Sequence, residues 1–162
     1  MANVIRLLGT PSIEIDGVPV TGPRGRKSWA VLALAALSDR PLERSRVARL
    51  LFPDAGDPLG ALRWALAELR RALGGSASMS GDPLEIRLAE TTVVDVLEVP
   101  GSRDFDLSGL SQLSAELLAG MTFSGCDAFE SWLLVERRRL AAAAEATIPA
   151  VHMAGRAIHQ RR

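Results

Sequence analysis

The sequence predicts an α+β fold that is mainly α-helical, with a small N-terminal β-sheet, three helices, a β-hairpin and a further helical segment. Three observations predict it. Two short runs of branched apolar residues flank an Asp16-Gly17 pair near the start. Three stretches with helical spacing follow between residues 28 and 73, and alternating polar and apolar residues occupy 84–88. A length of 162 residues suits one compact domain or two small ones.

The first predicted elements are strands at residues 4–8 and 12–15, rich in valine, leucine and isoleucine. Asp16-Gly17 favours a tight hairpin turn, because glycine accepts the positive φ that a type I′ turn requires. Residues 18–20 then form the returning strand. The chain therefore begins with a small antiparallel sheet.

Two helices are predicted next. Residues 28–37 are dense enough in apolar side chains for a mostly buried helix, which ends at residues 39–41. Residues 42–51 place Val47, Leu50 and Leu51 on one face, and Phe52-Pro53 ends this second helix.

The third predicted helix is the longest of the three. Asp57 is a suitable N-cap and Pro58 fits the first helical position, whereas Gly74-Gly75 provides a left-handed exit after Leu73. At 100° per residue the apolar stripe consists of Leu62, Leu66, Leu69 and Leu73. The opposite side holds Gly60, Trp64, Ala67, Glu68 and Arg71, with Arg63 and Arg70 on one flank.

After a Ser/Gly-rich loop, residues 84–88 alternate in polarity, and residues 92–96 are a second strand candidate. We expect the two to pair as a hairpin. The order of sheet, helix, a helix joined by a short turn to a longer helix, and hairpin is the layout of a winged helix-turn-helix.

The composition changes at Pro100, and Gly101-Ser102 is a plausible boundary between a domain at 1–99 and a helical segment at 100–162. Asp127 and Glu130 resemble a capping box before a helix at residues 132–146, in which Phe129, Trp132 and Leu133 have the spacing of packing residues. Pro149 is expected to kink or break that helix. No stop signal follows, so we expect the last segment to be truncated.

Charge is segregated along the chain although the total is zero. Residues 24–71 hold ten basic and five acidic residues, 72–131 two basic and ten acidic, and 132–162 six basic and two acidic. Local fields, rather than net charge, therefore determine which partners are attracted.

Several function classes are disfavoured. Cys126 is the single cysteine, and the longest apolar run, at residues 29–37, is too short to span a membrane. The first twenty residues lack the pattern of a signal peptide, so a cytoplasmic protein is expected. His152 and His159 make a weak metal site without a third ligand, and no catalytic or phosphate-loop motif occurs. We predict no cofactor, no metal and no enzymatic activity.

Two blocks of sequence resemble a known family. GPRGRKSWAVLALAAL, DRPLERSRVARLLFPD and LRWALAELRRALGG are similar to the DNA-binding half of antibiotic-regulatory (SARP) proteins, which has an OmpR-type winged-helix fold. ELLAGMTFSGCDAFESWLLVERRRL resembles the start of the bacterial transcriptional activation domain (BTAD) that follows it, a tetratricopeptide-like helical array.

The resemblance implies that Asp57–Leu73 is the recognition helix, that Leu42–Leu51 crosses in front of it, and that Leu84–Val96 is the wing. The candidate DNA-contacting residues are Arg24, Arg26, Lys27, Arg44, Arg46, Arg63, Trp64, Arg70 and Arg71.

Each candidate has an alternative interpretation. For the arginines and Lys27 the alternative is that they are solvated charges, and for Arg87 that it is half of a cross-strand ion pair. Trp64 either covers DNA or a partner from an exposed face or belongs to the core. An outward Glu68 would repel phosphate, although a carboxylate can accept a hydrogen bond from cytosine.

We therefore predict a DNA-binding transcriptional regulator that binds double-stranded DNA. The helical segment would present a surface to the transcription machinery or to another protein. The alternative is a winged-helix interaction module that has lost sequence-specific DNA binding. The sequence leaves open the operator, the effector, and whether the protein binds DNA as a dimer.

Overall fold

A computed structural model of the chain describes residues 2–98 and 115–159, and only the backbone of residues 147–159. The strands are β1 (Asn3–Arg6), β2 (Ser12–Ile15), β3 (Val18–Val20), β4 (Ala77–Ser80), β5 (Glu85–Leu88) and β6 (Thr92–Val94). The α-helices of the described residues are α1 (Arg26–Leu37), α2 (Arg44–Leu51), α3 (Pro58–Leu73) and α4 (Asp127–His159). This mixed α/β arrangement is compatible with a winged helix.

A four-stranded sheet in the order β3-β2-β1-β6 begins the fold. β1 pairs with β2 and β2 with β3 in antiparallel fashion. Asp16 and Gly17 both have positive φ, at 53° and 77°, so the predicted hairpin turn is confirmed. β6 lies parallel to β1, with Val4 opposite Val93.

The core lies where α1 and α2 pack against α3. α1 buries every residue from Ser28 to Leu34, as its dense apolar sequence predicts. The four leucines of the predicted α3 stripe are each at most 1% exposed. The 3.6-residue periodicity therefore identified the buried face of the longest of these three helices.

Both ends of α3 follow the predicted capping chemistry. The Asp57 side chain accepts a hydrogen bond from the Gly60 backbone N–H at 2.9 Å, which satisfies one amide of the first turn. Gly74 leaves the helix with a φ of 54°.

The predicted wing is wrong in its pairing. β5 pairs with β4, which lies in the segment we expected to be a loop, whereas Thr92–Val94 joins the N-terminal sheet instead. The physical reason is burial: Ala77 and Met79 point into the core and alternate with exposed serines. The wing is therefore the hairpin at residues 77–88.

Two predictions about α4 are also wrong. Glu130 accepts a hydrogen bond from the Phe123 N–H at 2.6 Å, so it reaches back beyond Asp127 rather than closing a capping box with it. The helix also continues through Pro149 to His159, so the expected break at this proline is wrong. Five alanines between residues 141 and 146 favour the helix strongly there, and one proline removes only one of its hydrogen bonds.

The segment from residue 115 onward packs directly on the winged-helix core. Leu118 donates its backbone N–H to Leu7 at 2.9 Å, and Gly9 donates to Glu116 at 2.8 Å. The buried residues of this segment are Leu117, Leu118, Phe123, Cys126, Phe129 and Leu133. The predicted boundary at residues 99/100 falls outside the described residues.

Arg137 holds this contact from α4. Its guanidinium donates to the carbonyls of Leu117 and Leu118 at 2.9 and 3.0 Å. It also forms an ion pair with Glu116 at 3.3 Å. Arg137 is the first of three consecutive arginines, and these contacts show that it anchors the segment.

Candidate nucleic-acid interface

The outward face of α3 carries most of the predicted contacts. Helical spacing brings five exposed residues to this face, namely Arg63, Trp64, Ala67, Arg70 and Arg71. Arg70 reaches the Met79 carbonyl on β4 at 3.4 Å, on the side of the wing. Arg71 reaches the Gly22 carbonyl at 2.9 Å, on the side of the loop before α1. The exposed face is thus flanked by the wing and by that loop.

Glu68 is not on the exposed face, contrary to the helical projection, since it is only 6% exposed. Arg24 donates to Oε1 of Glu68 through Nε at 3.1 Å and through Nη2 at 2.8 Å, and its backbone N–H reaches Oε2 at 2.9 Å. Arg71 donates to Oε2 at 3.1 Å. One carboxylate therefore joins two candidate DNA-binding arginines, and we call these three residues the Glu68 cluster.

Hydrogen bonding sets the ionisation of the cluster. The Arg24 guanidinium, the Arg24 backbone N–H and Arg71 together lower the pKa of Glu68 from 4.5 to about 2, against the opposing effect of burial. The same hydrogen bond raises the pKa of Arg24. At neutral pH the cluster consequently holds two positive charges and one negative charge.

Trp64 lies beside the cluster and is 49% exposed. The Arg24 Cζ atom lies 5.9 Å from its ring centroid, within the range of a cation–π interaction. A Cβ atom added at Gly25 would lie 3.5 Å from the ring edge, so one part of the indole covers the Gly25 backbone. Trp64 is therefore neither a core residue nor wholly uncovered.

Arg26 and Lys27 begin α1 and point elsewhere. Arg26 donates to the Thr122 carbonyl at 3.2 Å, in the segment that precedes α4. The Lys27 ammonium lies 5.1 Å from the ring centroid of Phe52. The N-cap of α1 is Gly25, which has no side chain to accept hydrogen bonds from the first backbone N–H groups. The partial positive charge of the helix N-terminus therefore adds to the charges of Arg26 and Lys27.

The remaining candidates are distributed around α3. Arg44 donates from Nε to the Gly81 carbonyl at 2.7 Å and thereby joins α2 to the turn of the wing. Arg46 is exposed on α2. Arg63 pairs at 3.6 Å with Asp57, and both side chains are mostly exposed. Arg87 pairs with Glu85 of its own strand at 3.8 Å, not across the hairpin.

The structure thus brings Arg24, Trp64 and Arg71 together and places Arg44 and Arg70 beside the wing. Arg26 is directed toward the helical segment. Sequence reasoning missed the burial of Glu68. The only available signal was the pair of arginines, one at 71 on the same helix and one at 24 in a loop, and no local pattern indicates that a loop folds back on α3.

Other chemistry is limited in the described part of the chain. Among the side chains described, those of residues 2–98 and 115–146, no group of three His, Cys, Asp or Glu residues could hold a metal ion. The side chains of His152 and His159 lie outside the described residues. Cys126 is buried, and its thiol donates to the Leu51 carbonyl at 3.4 Å, which is a structural contact. None of the described helices is long and apolar enough to cross a membrane.

Comparison with known proteins finds similarity among solved structures. No protein-family model and no curated protein matches this chain. Among solved structures, it is similar to Mycobacterium tuberculosis EmbR, determined in complex with a low-affinity phosphopeptide, with a TM-score of 0.57 and 20% identity. The match covers 97% of this chain and 47% of EmbR, so the chain spans about half the length of that protein. At this identity the match shows a shared fold.

Proposed function

We propose that this protein is a DNA-binding transcriptional regulator of the SARP type, which inserts α3 into the major groove and holds phosphates with the surrounding cations. The observation that carries the proposal is the exposed face of α3, which bears Arg63, Arg70 and Arg71 between the wing and the loop before α1. A major groove about 12 Å wide admits a single helix in this way.

The surrounding cations support a phosphate grip. Arg44 is oriented at the turn of the wing, where a winged helix approaches the backbone beside the groove. Lys27 lies in the first turn of α1, where the helix dipole also favours an anion. The site we propose consists of Arg24, Arg26, Lys27, Arg44, Arg46, Arg63, Trp64, Arg70 and Arg71.

The second part of the proposal concerns residues 100–162, the start of a BTAD-like segment that presents a surface to the transcription machinery or another protein. Half-exposed Leu134 and exposed Val135 on α4 support it. Residues 1–99 form the DNA-binding unit in this proposal. A regulator of bacterial transcription works beside the chromosome, so we place it in the cytoplasm.

Selection of bound fragments from random DNA, followed by fluorescence anisotropy at several salt concentrations, tests this function. If about five cations meet phosphates, the plot of log Kobs against log salt has a slope of about −4 to −5. Arg70→Ala reduces the steepness by about 0.9 if Arg70 contacts a phosphate. Arg138→Ala, which removes the same charge from an exposed position on α4, is the matched control and leaves the slope unchanged. Binding that does not respond to salt would refute the phosphate grip.

One observation favours a second candidate, a winged-helix module that binds protein rather than DNA. Ala67 and half-exposed Trp64 make the centre of the α3 face apolar, and Arg24 and Arg71 are already paired with Glu68. This candidate predicts no enrichment of any sequence in the selection and a stable complex with a protein partner. Repeats in the selected DNA also report assembly: tandem repeats indicate adjacent copies, and inverted repeats indicate a two-fold pair.

A further inference from the structure

The Glu68 cluster orders two arginines that would otherwise be mobile on the surface. Arg24 is bound by both oxygens of the carboxylate, through its side chain and its own backbone N–H. Arg71 bridges the second oxygen and the Gly22 carbonyl. Each guanidinium is therefore fixed by at least two hydrogen bonds on its inner side.

Both arginines retain donors on the outer side. A guanidinium has five N–H groups, of which Arg24 uses two on Glu68. The Arg24 side chain remains 74% exposed and that of Arg71 46% exposed, whereas the Glu68 side chain between them is 7% exposed. An approaching anion consequently meets N–H groups and not the carboxylate.

We infer that Glu68 is a positioning residue of the DNA interface, whose buried carboxylate holds Arg24 and Arg71 so that their outer N–H groups form a fixed site for one DNA phosphate. The inference rests on the proposed function. It reverses the expectation that an acidic residue on this helix repels DNA. The cluster keeps a net charge of +1, and the ordering of both side chains is completed during folding, so less freedom is lost on binding.

A fixed phosphate contact affects specificity as well as affinity. Phosphate contacts carry no sequence information directly, but they set the register and orientation of the protein on the duplex. Loosening the two arginines therefore weakens the correctly registered complex more than non-specific complexes, which tolerate many orientations. The two roles of Glu68 therefore predict different results. If only its charge matters, removing the carboxylate strengthens binding to every DNA sequence, whereas if it positions the arginines, removal lowers the preference for the correct sequence.

The test compares the full chain with Glu68→Gln, which keeps the side-chain shape and removes the charge. Anisotropy gives the dissociation constants for the selected duplex and for a random duplex at one salt concentration, and circular dichroism shows that the variant is folded at that temperature. We define the ratio as the dissociation constant for the random duplex divided by that for the selected duplex. We expect this ratio to fall at least about tenfold, the effect of one misplaced charge-assisted hydrogen bond. Glu90→Gln, at an exposed carboxylate after β5, is the matched control and leaves the ratio unchanged.

Two further variants complete the test. In an Arg24→Ala background, Glu68→Gln has a smaller effect on the ratio, because its principal partner is absent. If Glu68→Gln is unfolded, Arg24→Lys retains the charge without the forked contact and shows the same loss of ratio. If the wild type and the variants discriminate equally well between the two duplexes, the inference about Glu68 is overturned and the proposed function is not. A wild-type protein that binds no duplex overturns the proposed function together with it.

Discussion

Replacing Phe129 by alanine tests whether α4 and the winged helix share one core. Phe129 is fully buried, although it belongs to the segment that the sequence assigns to a separate unit. Its ring lies edge-on to Phe123 at a centroid distance of 4.8 Å and is stacked on Trp132 at 5.5 Å. Phe129→Ala therefore removes a large side chain and two aromatic contacts at once.

The expected loss of unfolding free energy is about 3–5 kcal/mol, the range for a fully buried phenylalanine. Burial of the ring accounts for about 1.5–3 kcal/mol, and each aromatic pair adds about 0.5–1.5 kcal/mol. In a chain of this size, 1 kcal/mol shifts the melting temperature by about 2–4 °C, so we expect a decrease of about 6–20 °C.

Differential scanning calorimetry and circular dichroism measure this shift. If the core is shared, both methods report one coincident transition that moves as a whole. Leu134→Ala, five residues further along α4 and half-exposed, is the control and shifts the midpoint by about 2 °C or less. A shift of the same small size for Phe129→Ala would refute the packing. Two resolved transitions, of which only one moves, would refute the shared core.

Three other predictions address single contacts. Because the pKa of Glu68 falls from 4.5 in its ordinary state to about 2 in the fold, its contribution to stability is complete above pH 4.5 and is lost as the pH falls toward 2. Urea denaturation gives the free energy of unfolding at each pH. Between pH 4.5 and 2 we expect this free energy to decrease less for Glu68→Gln than for the wild type, and equal decreases would contradict the lowered pKa of Glu68. Asp57→Ala removes the cap of α3 and costs about 0.5–2 kcal/mol in thermal unfolding, whereas Asp57→Asn keeps an acceptor for Gly60 and costs less. Arg137→Met leaves two carbonyls without their donor and costs about 1–3 kcal/mol, while Arg138→Met at the next, exposed position changes stability little, so equal effects would exclude the anchoring role.

The local elements of the fold could be predicted where one strong signal dominated. The Asp16-Gly17 turn, the leucine stripe of α3 and the Asp57 cap each depend on residues close together in the sequence. The pairing of the wing could not be predicted in the same way. Residues 77–80 alternate Ala77 and Met79 with two serines, but four residues within a Ser/Gly-rich stretch are a weak strand signal. The strand is recognised from the burial of Ala77 and Met79 in the fold.

The candidate site was predictable in composition but not in geometry. The exposed positions of Trp64 and Arg70 follow from the helical projection of α3, whereas the same projection misplaces Glu68. Its burial depends on Arg24, which is 44 residues away and reaches it only because the loop before α1 folds over the helix. Helical periodicity describes one helix at a time and cannot predict a contact between that helix and a loop distant in the sequence.

The same contacts change the meaning of the charge count for residues 24–71. That count suggests a strip of free cations, yet Arg26 and Arg44 each donate to a backbone carbonyl, and Arg24 and Arg71 share one carboxylate. A bond to a carbonyl orients a guanidinium without neutralising it, and the shared carboxylate cancels one charge of two. The surface therefore keeps a positive field while several of its cations are ordered. In the proposed complex, the salt dependence of binding measures how many cations contact phosphates. Discrimination between duplexes measures whether those cations are held in fixed positions. The charge count from the sequence cannot distinguish the number of cations from their ordering.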